Sequence, residues 1–289
     1  MRYTQIRNAT CVLELGGARV LVDPMLGDPG TLPPYAVLRS RVRRNPLTPL
    51  PEGTSGMLKG IDACVITHTH FGVDCDHLDK PGAALLRDRS IPVFCRSGDE
   101  RRLRKRGIEP TPVNGEKRSF LGGTIGAVPA AHGRGIVGKL MGPGVGYLIE
   151  IPGEPLVYIT GDTVLTDGVR RTLETRRPEI CIVPGGGARL DVGGPVLMSI
   201  DELTEFVRLA PGTVIINHVG ALNHCPTTHE DIRTALGPEL LERVLLPIDG
   251  ESLAVAGPPK HEQRNEAIAS RGVSPPSVDR PGPPRFTGA

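Results

Sequence analysis

The stretch "ITHTHFGVDCDHLDK", residues 66 to 80, carries three of the chain's eight histidines. His68 and His70 alternate, and His77 follows Asp76 directly, with Asp74 and Cys75 just before them. Imidazole nitrogen and carboxylate oxygen together suit a borderline divalent ion such as Zn²⁺, Mn²⁺ or Fe²⁺. Alternation at His68 and His70 would bring both rings within reach of one ion. Which of Asp74, Cys75, Asp76 and His77 belongs to such a site is not fixed by their order alone.

The rest of the pattern lies at the ends of apolar runs. "ACVIT" delivers His68, "LVYIT" delivers Asp162 after one glycine, "TVIIN" delivers His218, and "AAHG" places His132 after "TIGAVPA". Strand ends are where loops gather and ligands bind in layered α/β proteins. A lone histidine beside a strand is more often a hydrogen-bonded structural residue. Five histidines and two aspartates distributed this way argue for a shared metal site. A bridging carboxylate such as Asp162 can hold two cations about 3.5–4 Å apart, and water bound to them falls in pKa from about 15.7 to about 7. Such a hydroxide needs no serine or cysteine nucleophile, and the chain has no G-x-S-x-G signature.

The elements that must position these groups can be read in outline. "TCVLEL" and "RVLVDP" flank Gly16-Gly17, which predicts a β-hairpin over residues 10 to 24. "GVGYLIEI" and "PLVYIT" enclose "PGE", a second hairpin signal. "DACVIT", "EICIVP" and "TVIIN" read as buried strands. "GDERRLRKRG" (98 to 107) reads as a short basic helix. Ser199 and Glu202 have capping-box spacing before a helix, and Thr227 and Glu230 repeat it before another. Residues 25 to 56 are rich in Pro and Gly, and a loop that long in a compact domain is usually functional or disordered. The last 33 residues hold seven prolines, four glycines and few clustered apolar groups, which predicts a disordered tail over 257–289 behind a domain over 1–256.

Composition sets the class. At 289 residues, 38% hydrophobic and 23% charged, the chain is ordinary for a soluble globular protein. A net charge of +2 gives no electrostatic reason to expect nucleic acid or a membrane surface as partner. No run of 18 apolar residues is present, and the start lacks the basic and apolar regions of a secretory signal. The six scattered cysteines form no C-x-x-C pair and fit buried reduced thiols. A cytoplasmic enzyme is expected, with a small-molecule substrate; homo-oligomerisation is left open.

In their order along the chain, "VLVDPML", "THTHF…DHLD", "AAHG", "YITGDT" and "HVGALNHC" resemble the metallo-β-lactamase superfamily of metal-dependent hydrolases. "TQIRNAT", "RNPLTPLP", "NHCPTTHEDIR" and "PIDGES" are closer to the branch that includes L-ascorbate-6-phosphate lactonases. The resemblance covers about residues 1 to 256. It implies a four-layer αββα sandwich with the metal site along one edge. Carried over position by position, His68, His70 and His132 would hold one ion, and Asp76, His77 and His218 a second, with Asp162 between them. One or two divalent ions are implied, Zn²⁺ first and Mn²⁺ or Fe²⁺ as alternatives. The Asp at the position of Asp76 would also orient the attacking water or shuttle its proton.

The departure from the family is the gap after His70. The usual H-x-H-x-D-H spacing is stretched as if "GVDC" were inserted after Phe71, so Asp74 and Cys75 compete with Asp76 and His77. Among further candidates, His224 would contact substrate or protonate a leaving group, or else be a backbone-bonded residue at a helix start. His229 reads as a surface residue. Arg39, Arg41, Arg43 and Arg44 could clamp an anion, although a solvated loop is favoured. The expected function is hydrolysis of a small polar or anionic ester, lactone or phosphoester by metal-activated hydroxide. The rivals are a nuclease or phosphodiesterase acting on nucleic acid, and a non-catalytic metal-binding protein with a disrupted second site.

Overall fold

A computed structural model describes residues 1–69 and 75–255. His70 and Asp74, and the tail over 257–289, lie outside the described residues. The first sheet starts with β1 (Arg2–Arg7), β2 (Thr10–Leu15) and β3 (Ala18–Val22), joined antiparallel. Gly16 and Gly17 both have positive φ, at 56° and 82°, as a two-residue hairpin turn between right-twisted strands requires. After helix α1 (Thr54–Met57), β4 (Ala63–Ile66) pairs parallel with β3. Helix α2 (Lys80–Asp88), β5 (Val93–Arg96), helix α3 (Glu100–Arg104) and β6 (Pro110–Val113) complete the parallel half.

The second sheet mirrors the first. It runs β7 (Arg118–Phe120), β8 (Gly123–Ala131) and, after helix α4 (Gly135–Met141), β9 (Pro143–Glu150) and β10 (Val157–Ile159), all antiparallel. Helix α5 (Asp167–Arg176) leads to β11 (Ile180–Pro184), and helix α6 (Ile200–Leu209) to β12 (Thr213–Asn217). Helix α7 (His229–Leu241) leads to β13 (Val244–Leu245), and these last strands pair parallel. β14 (Ser252–Ala254) returns to β1, so among the described residues each sheet has seven strands, in the orders β14-β1-β2-β3-β4-β5-β6 and β13-β12-β11-β10-β9-β8-β7.

Alternation along each strand explains the layers. In β11, Ile180 and Ile182 join the core between the sheets, with Val65 from β4 and Leu13 from β2. Cys181 and Val183 point the other way, into a second core with Leu173, Phe206 and Ile232 of α5, α6 and α7. Cys64 and Ile66 of β4 likewise meet Ala83, Leu86 and Leu103 of α2 and α3. A strand buried on both faces reads as an unbroken apolar run, which is why "EICIVP" and "DACVIT" show no alternation in sequence. The result is the four-layer αββα sandwich.

Helix starts follow their caps with one correction. Ser199 and Glu202 form a reciprocal capping box, as their spacing predicts. At α7 the box is Thr228 with Asp231, one residue later than Thr227 with Glu230. Thr227 is still held in the loop, its amide donating to the Gly186 carbonyl at 3.1 Å. The segment over 25–56 has only one short helix, yet it is pinned. The buried guanidinium of Arg7 donates to the carbonyls of Met25, Gly27 and Thr48 at 2.7–2.9 Å.

Candidate metal centre

The site forms where strand ends of both sheets meet. β4 runs out into Thr67 and His68, β8 into His132, β10 into Asp162 and β12 into His218. Asp76 and His77 come from the segment between β4 and α2. Asp76, His77, Asp162 and His218 place one donor atom each within 4.8 Å of one another, and His68, His132 and Asp162 do the same beside them. Asp162 belongs to both groups. Its Oδ2 is 3.3 Å from His77 Nε2, 3.5 Å from His132 Nε2 and 3.8 Å from His218 Nε2. Asp76 Oδ2 lies 3.6 Å from His77 Nε2 and 3.5 Å from His218 Nε2.

Backbone geometry aims these groups. Gly161 has φ 61°, and a Cβ there would stand 2.5 Å from the Val145 carbonyl, so only glycine lets the chain turn Asp162 into the site. His218 also has positive φ, 58°, unusual for a side chain with a Cβ. Its amide donates to the Asn8 carbonyl at 3.0 Å, and the Asn8 amide group donates to the Asp76 carbonyl at 3.3 Å. Asn8 therefore ties the two halves of the cluster together.

Each ring is oriented from behind. His77 Nδ1 faces Asp23 Oδ2 at 2.8 Å, His132 Nδ1 faces the Val196 carbonyl at 2.9 Å, and His218 Nδ1 faces Cys225 Sγ at 3.7 Å. These contacts leave the Nε2 atoms of His77 and His218 and the Oδ1 of Asp162 buried without a hydrogen-bond partner. Buried polar atoms are rarely left so, and the two Nε2 atoms stand 3.3 and 3.8 Å from the other oxygen of Asp162, a grouping that fits a divalent cation. The outer contacts are the kind that hold ligating imidazoles in the right tautomer.

The charges agree. Burial pushes Asp162 up, but His77, His218 and His132 outweigh it and hold the carboxyl well below the usual range. Burial raises Asp76 too, and His77 and His218 again reverse the sign. Burial lowers His77 and His218, yet the facing acids, and Cys225 beside His218, carry both well above an ordinary imidazole. At His132 burial prevails over Asp162 and the ring stays below the ordinary value. A cation held by His77 and His218 would have to displace protons from their imidazoles, which couples its binding to pH.

Of the competitors at the inserted stretch, Asp74 lies outside the described residues, and Cys75 can be followed. Cys75 turns its thiol to the Leu78 carbonyl at 3.8 Å instead of into the cluster, and burial pushes that thiol up to about 11. Asp76 and His77 are the members of the pair that join the cluster. His224 is buried, with Nδ1 3.9 Å from Cys225 Sγ and its ring edge-on to Tyr35 at 5.1 Å. The arginine run gathers no common site. Arg39 donates to the Asp191 carbonyl, Arg44 to the carbonyls of Gly30 and Thr31, and Arg41 and Arg43 are exposed. His229 is half-buried in the first turn of α7.

A cavity of about 390 Å³ opens over the cluster. Its floor is His68, Cys75, Asp76, His132 and His224, and its walls are Pro33, Pro34, Tyr35, Met141, Leu190 and Val196. Sequence reading gave no role to Asp23, Asn8 or these wall residues. "VLVDP" did signal an acid at a strand end, the same signal that found Asp162.

Comparison with known proteins agrees with this geometry. Residues 18–219 match the β-lactamase superfamily domain. The UPF0173 protein YddR of Bacillus subtilis is 33% identical over 260 residues, covering 87% of this chain and 99% of that protein. A UPF0173 metal-dependent hydrolase of Cupriavidus metallidurans is 25% identical over 85% of this chain and 82% of its own length. Among solved structures, isothiocyanate hydrolase from Delia radicum gut bacteria superposes with a TM-score of 0.77 at 28% identity, over 88% of this chain and 99% of that one. The chain is a member of the β-lactamase superfamily, in its UPF0173 group of metal-dependent hydrolases.

Proposed function

We propose that this chain hydrolyses a small molecule at an electrophilic carbon, an ester or lactone being the simplest case, with the His/Asp cluster holding one or two divalent ions. The observation that carries this reading is the set of orphaned donors, His77 Nε2, His218 Nε2 and Asp162 Oδ1, beneath a cavity of about 390 Å³. The imidazole and carboxylate donors suit Zn²⁺ first and Mn²⁺ or Fe²⁺ as alternatives. A divalent ion there would acidify a coordinated water and polarise the scissile bond.

The chain's own groups supply the rest. Asp76 lines the cavity and stands within 3.6 Å of His77 and His218 Nε2, placed to take the proton of the attacking water. His224 lines the same cavity with Nδ1 turned to Cys225, which leaves Nε2 to protonate the leaving group. Carbon electrophiles are favoured over phosphoesters because the described lining includes no lysine or arginine to meet a phosphate. That the isothiocyanate hydrolase is so similar supports the same choice. A phosphorylated lactone, the substrate of the branch noted above, is the charged member of the class and fits this lining less well.

The test is to strip the protein with chelator, restore Zn²⁺ or Mn²⁺, and follow 4-nitrophenyl acetate, a γ-lactone and bis(4-nitrophenyl) phosphate. Turnover of the carbon substrates that returns only with metal, and is lost in Asp162→Ala and His132→Ala, supports the reading. Metal-independent turnover, or full activity in either variant, sinks it.

A further inference from the structure

The apolar wall of the cavity does not stop at its mouth. Tyr35, Leu190 and Met141 line the interior. The same three segments carry most of the large exposed hydrophobics of the described chain: Leu38 at 81%, Val192 at 79% and Ile136 at 78% exposure, with Val37 and Val42 beside Leu38. These segments adjoin. The amides of Val37, Leu38 and Arg39 all donate to the Asp191 carboxylate at 2.7–3.0 Å. Gly193 lies so close to α4 that a Cβ on it would overlap Val137. Exposed apolar groups scattered singly need no explanation, but several on adjoining segments around a cavity mark a binding surface.

Part of the charge on these segments is turned to backbone groups. Asp191 spends both carboxylate oxygens on backbone amides, and Arg39 spends its Nε on the Asp191 carbonyl. Arg44 is turned back to the carbonyls of Gly30 and Thr31. Arg41, Arg43, Lys139 and Arg189 are the remaining exposed cations on these three segments.

We infer that the substrate is an uncharged ester-like molecule with an alkyl or aryl tail, its head over the His/Asp cluster and its tail on the apolar channel from Tyr35, Met141 and Leu190 out to Leu38, Ile136 and Val192. This rests on the hydrolase reading above for the identity of the head, and on the channel alone for the tail. Tail contacts of this kind act equally on bound substrate and transition state, so they lower KM and leave kcat nearly alone.

The experiment uses metal-restored protein and 4-nitrophenyl butyrate, hexanoate and octanoate, with mono-4-nitrophenyl adipate as the carboxylated counterpart of hexanoate. The expected kcat/KM rises roughly fourfold per added methylene, through KM, and the adipate falls at least about tenfold below hexanoate, because its carboxylate must be desolvated against apolar groups. Val192→Asp and Leu38→Asp, both at exposed positions, should flatten the series. A separate readout is calorimetric binding of octan-1-ol, which the same two variants should weaken about tenfold. A flat series with normal turnover overturns the apolar channel and leaves the hydrolase reading standing. Adipate equal to or better than hexanoate also overturns it, and would assign the exposed cations of these segments, Arg41, Arg43, Lys139 and Arg189, to an anionic substrate. Octanol binding weakened by the variants, in a protein that turns over none of the esters, upholds the channel and sinks the hydrolase reading.

Discussion

Replacing Asp23 by Asn tests whether the buried cluster is built for metal. Asp23 is not among the residues lining the large cavity, but its Oδ2 accepts from His77 Nδ1 and from the Thr67 hydroxyl, both at 2.8 Å, and its Oδ1 accepts the Thr67 amide at 2.8 Å. The carboxylate therefore keeps a proton on His77 Nδ1, so that Nε2, which faces Asp162 and Asp76, is the nitrogen a cation would take. In Asp23→Asn, one oxygen can still meet the Thr67 amide, which puts the new NH₂ against His77. The ring must then accept at Nδ1 and carry its proton on Nε2, the atom meant for the cation. Asn keeps the shape and tolerates the positive φ of 45° at this position, so the fold should survive. Outer partners of ligating imidazoles are worth about 10–100-fold in metal affinity, or about 1.4–2.7 kcal/mol. The assay is competition for Zn²⁺ against a fluorescent chelator, with thermal melting of the metal-free protein as control. Affinity within about threefold of the parent, in a variant that melts normally, would refute the claim that Asp23 sets the tautomer of a ligand.

Two further outcomes follow from the same geometry. His77 and His218 are raised in the metal-free fold, so they stabilise it fully below the ordinary imidazole value, and that stability is lost as pH rises through their folded values. Asp76 and Asp162 are depressed, and their contribution is lost only as pH falls through the acidic range. Metal binding must release the two histidine protons, so the rise in Tm produced by saturating Zn²⁺ should widen from about pH 6 to about pH 8. A constant Tm increment across that window would contradict the proton inventory. Gly161→Ala puts a Cβ 2.5 Å from the Val145 carbonyl at φ 61° and should cost about 1–2 kcal/mol from backbone strain before any clash. Chemical denaturation measures it, and an unchanged midpoint would mean the turn into Asp162 does not need glycine.

Much of this molecule was legible in its sequence because two-sided burial writes strands as apolar runs. "ACVIT", "LVYIT" and "TVIIN" each stop where a polar, metal-capable side chain begins, and those side chains converge. Contacts made from behind were not legible. Asp23 and His77 are far apart in the chain, and nothing in either segment encodes the 2.8 Å between them. The cavity walls come from loops at 33–35, 141, 190 and 196, where no periodicity exists to read. Helix α4, in the glycine-rich "GRGIVGKLM", has poor intrinsic propensity and is held by burial of Val137 and Met141. Helix α2 did have a signal. Asp79 caps it by accepting the Gly82 amide, with a proline in the first turn, and its other oxygen holds the Gly27 amide.

The stretched spacing after His70 shows how the fold absorbs an insertion beside its own chemistry. A pair displaced by extra residues keeps its place only if contacts on its far side fix it. Asp76 is fixed through its carbonyl by Asn8, and His77 through Nδ1 by Asp23, two residues that stand at the ends of β1 and β3 and owe nothing to the loop between β4 and α2. Cys75 and Leu78 close the pair with a backbone bridge, and Asp79 then starts α2. Register is thus set from the helix side of the insertion, by the sheet underneath.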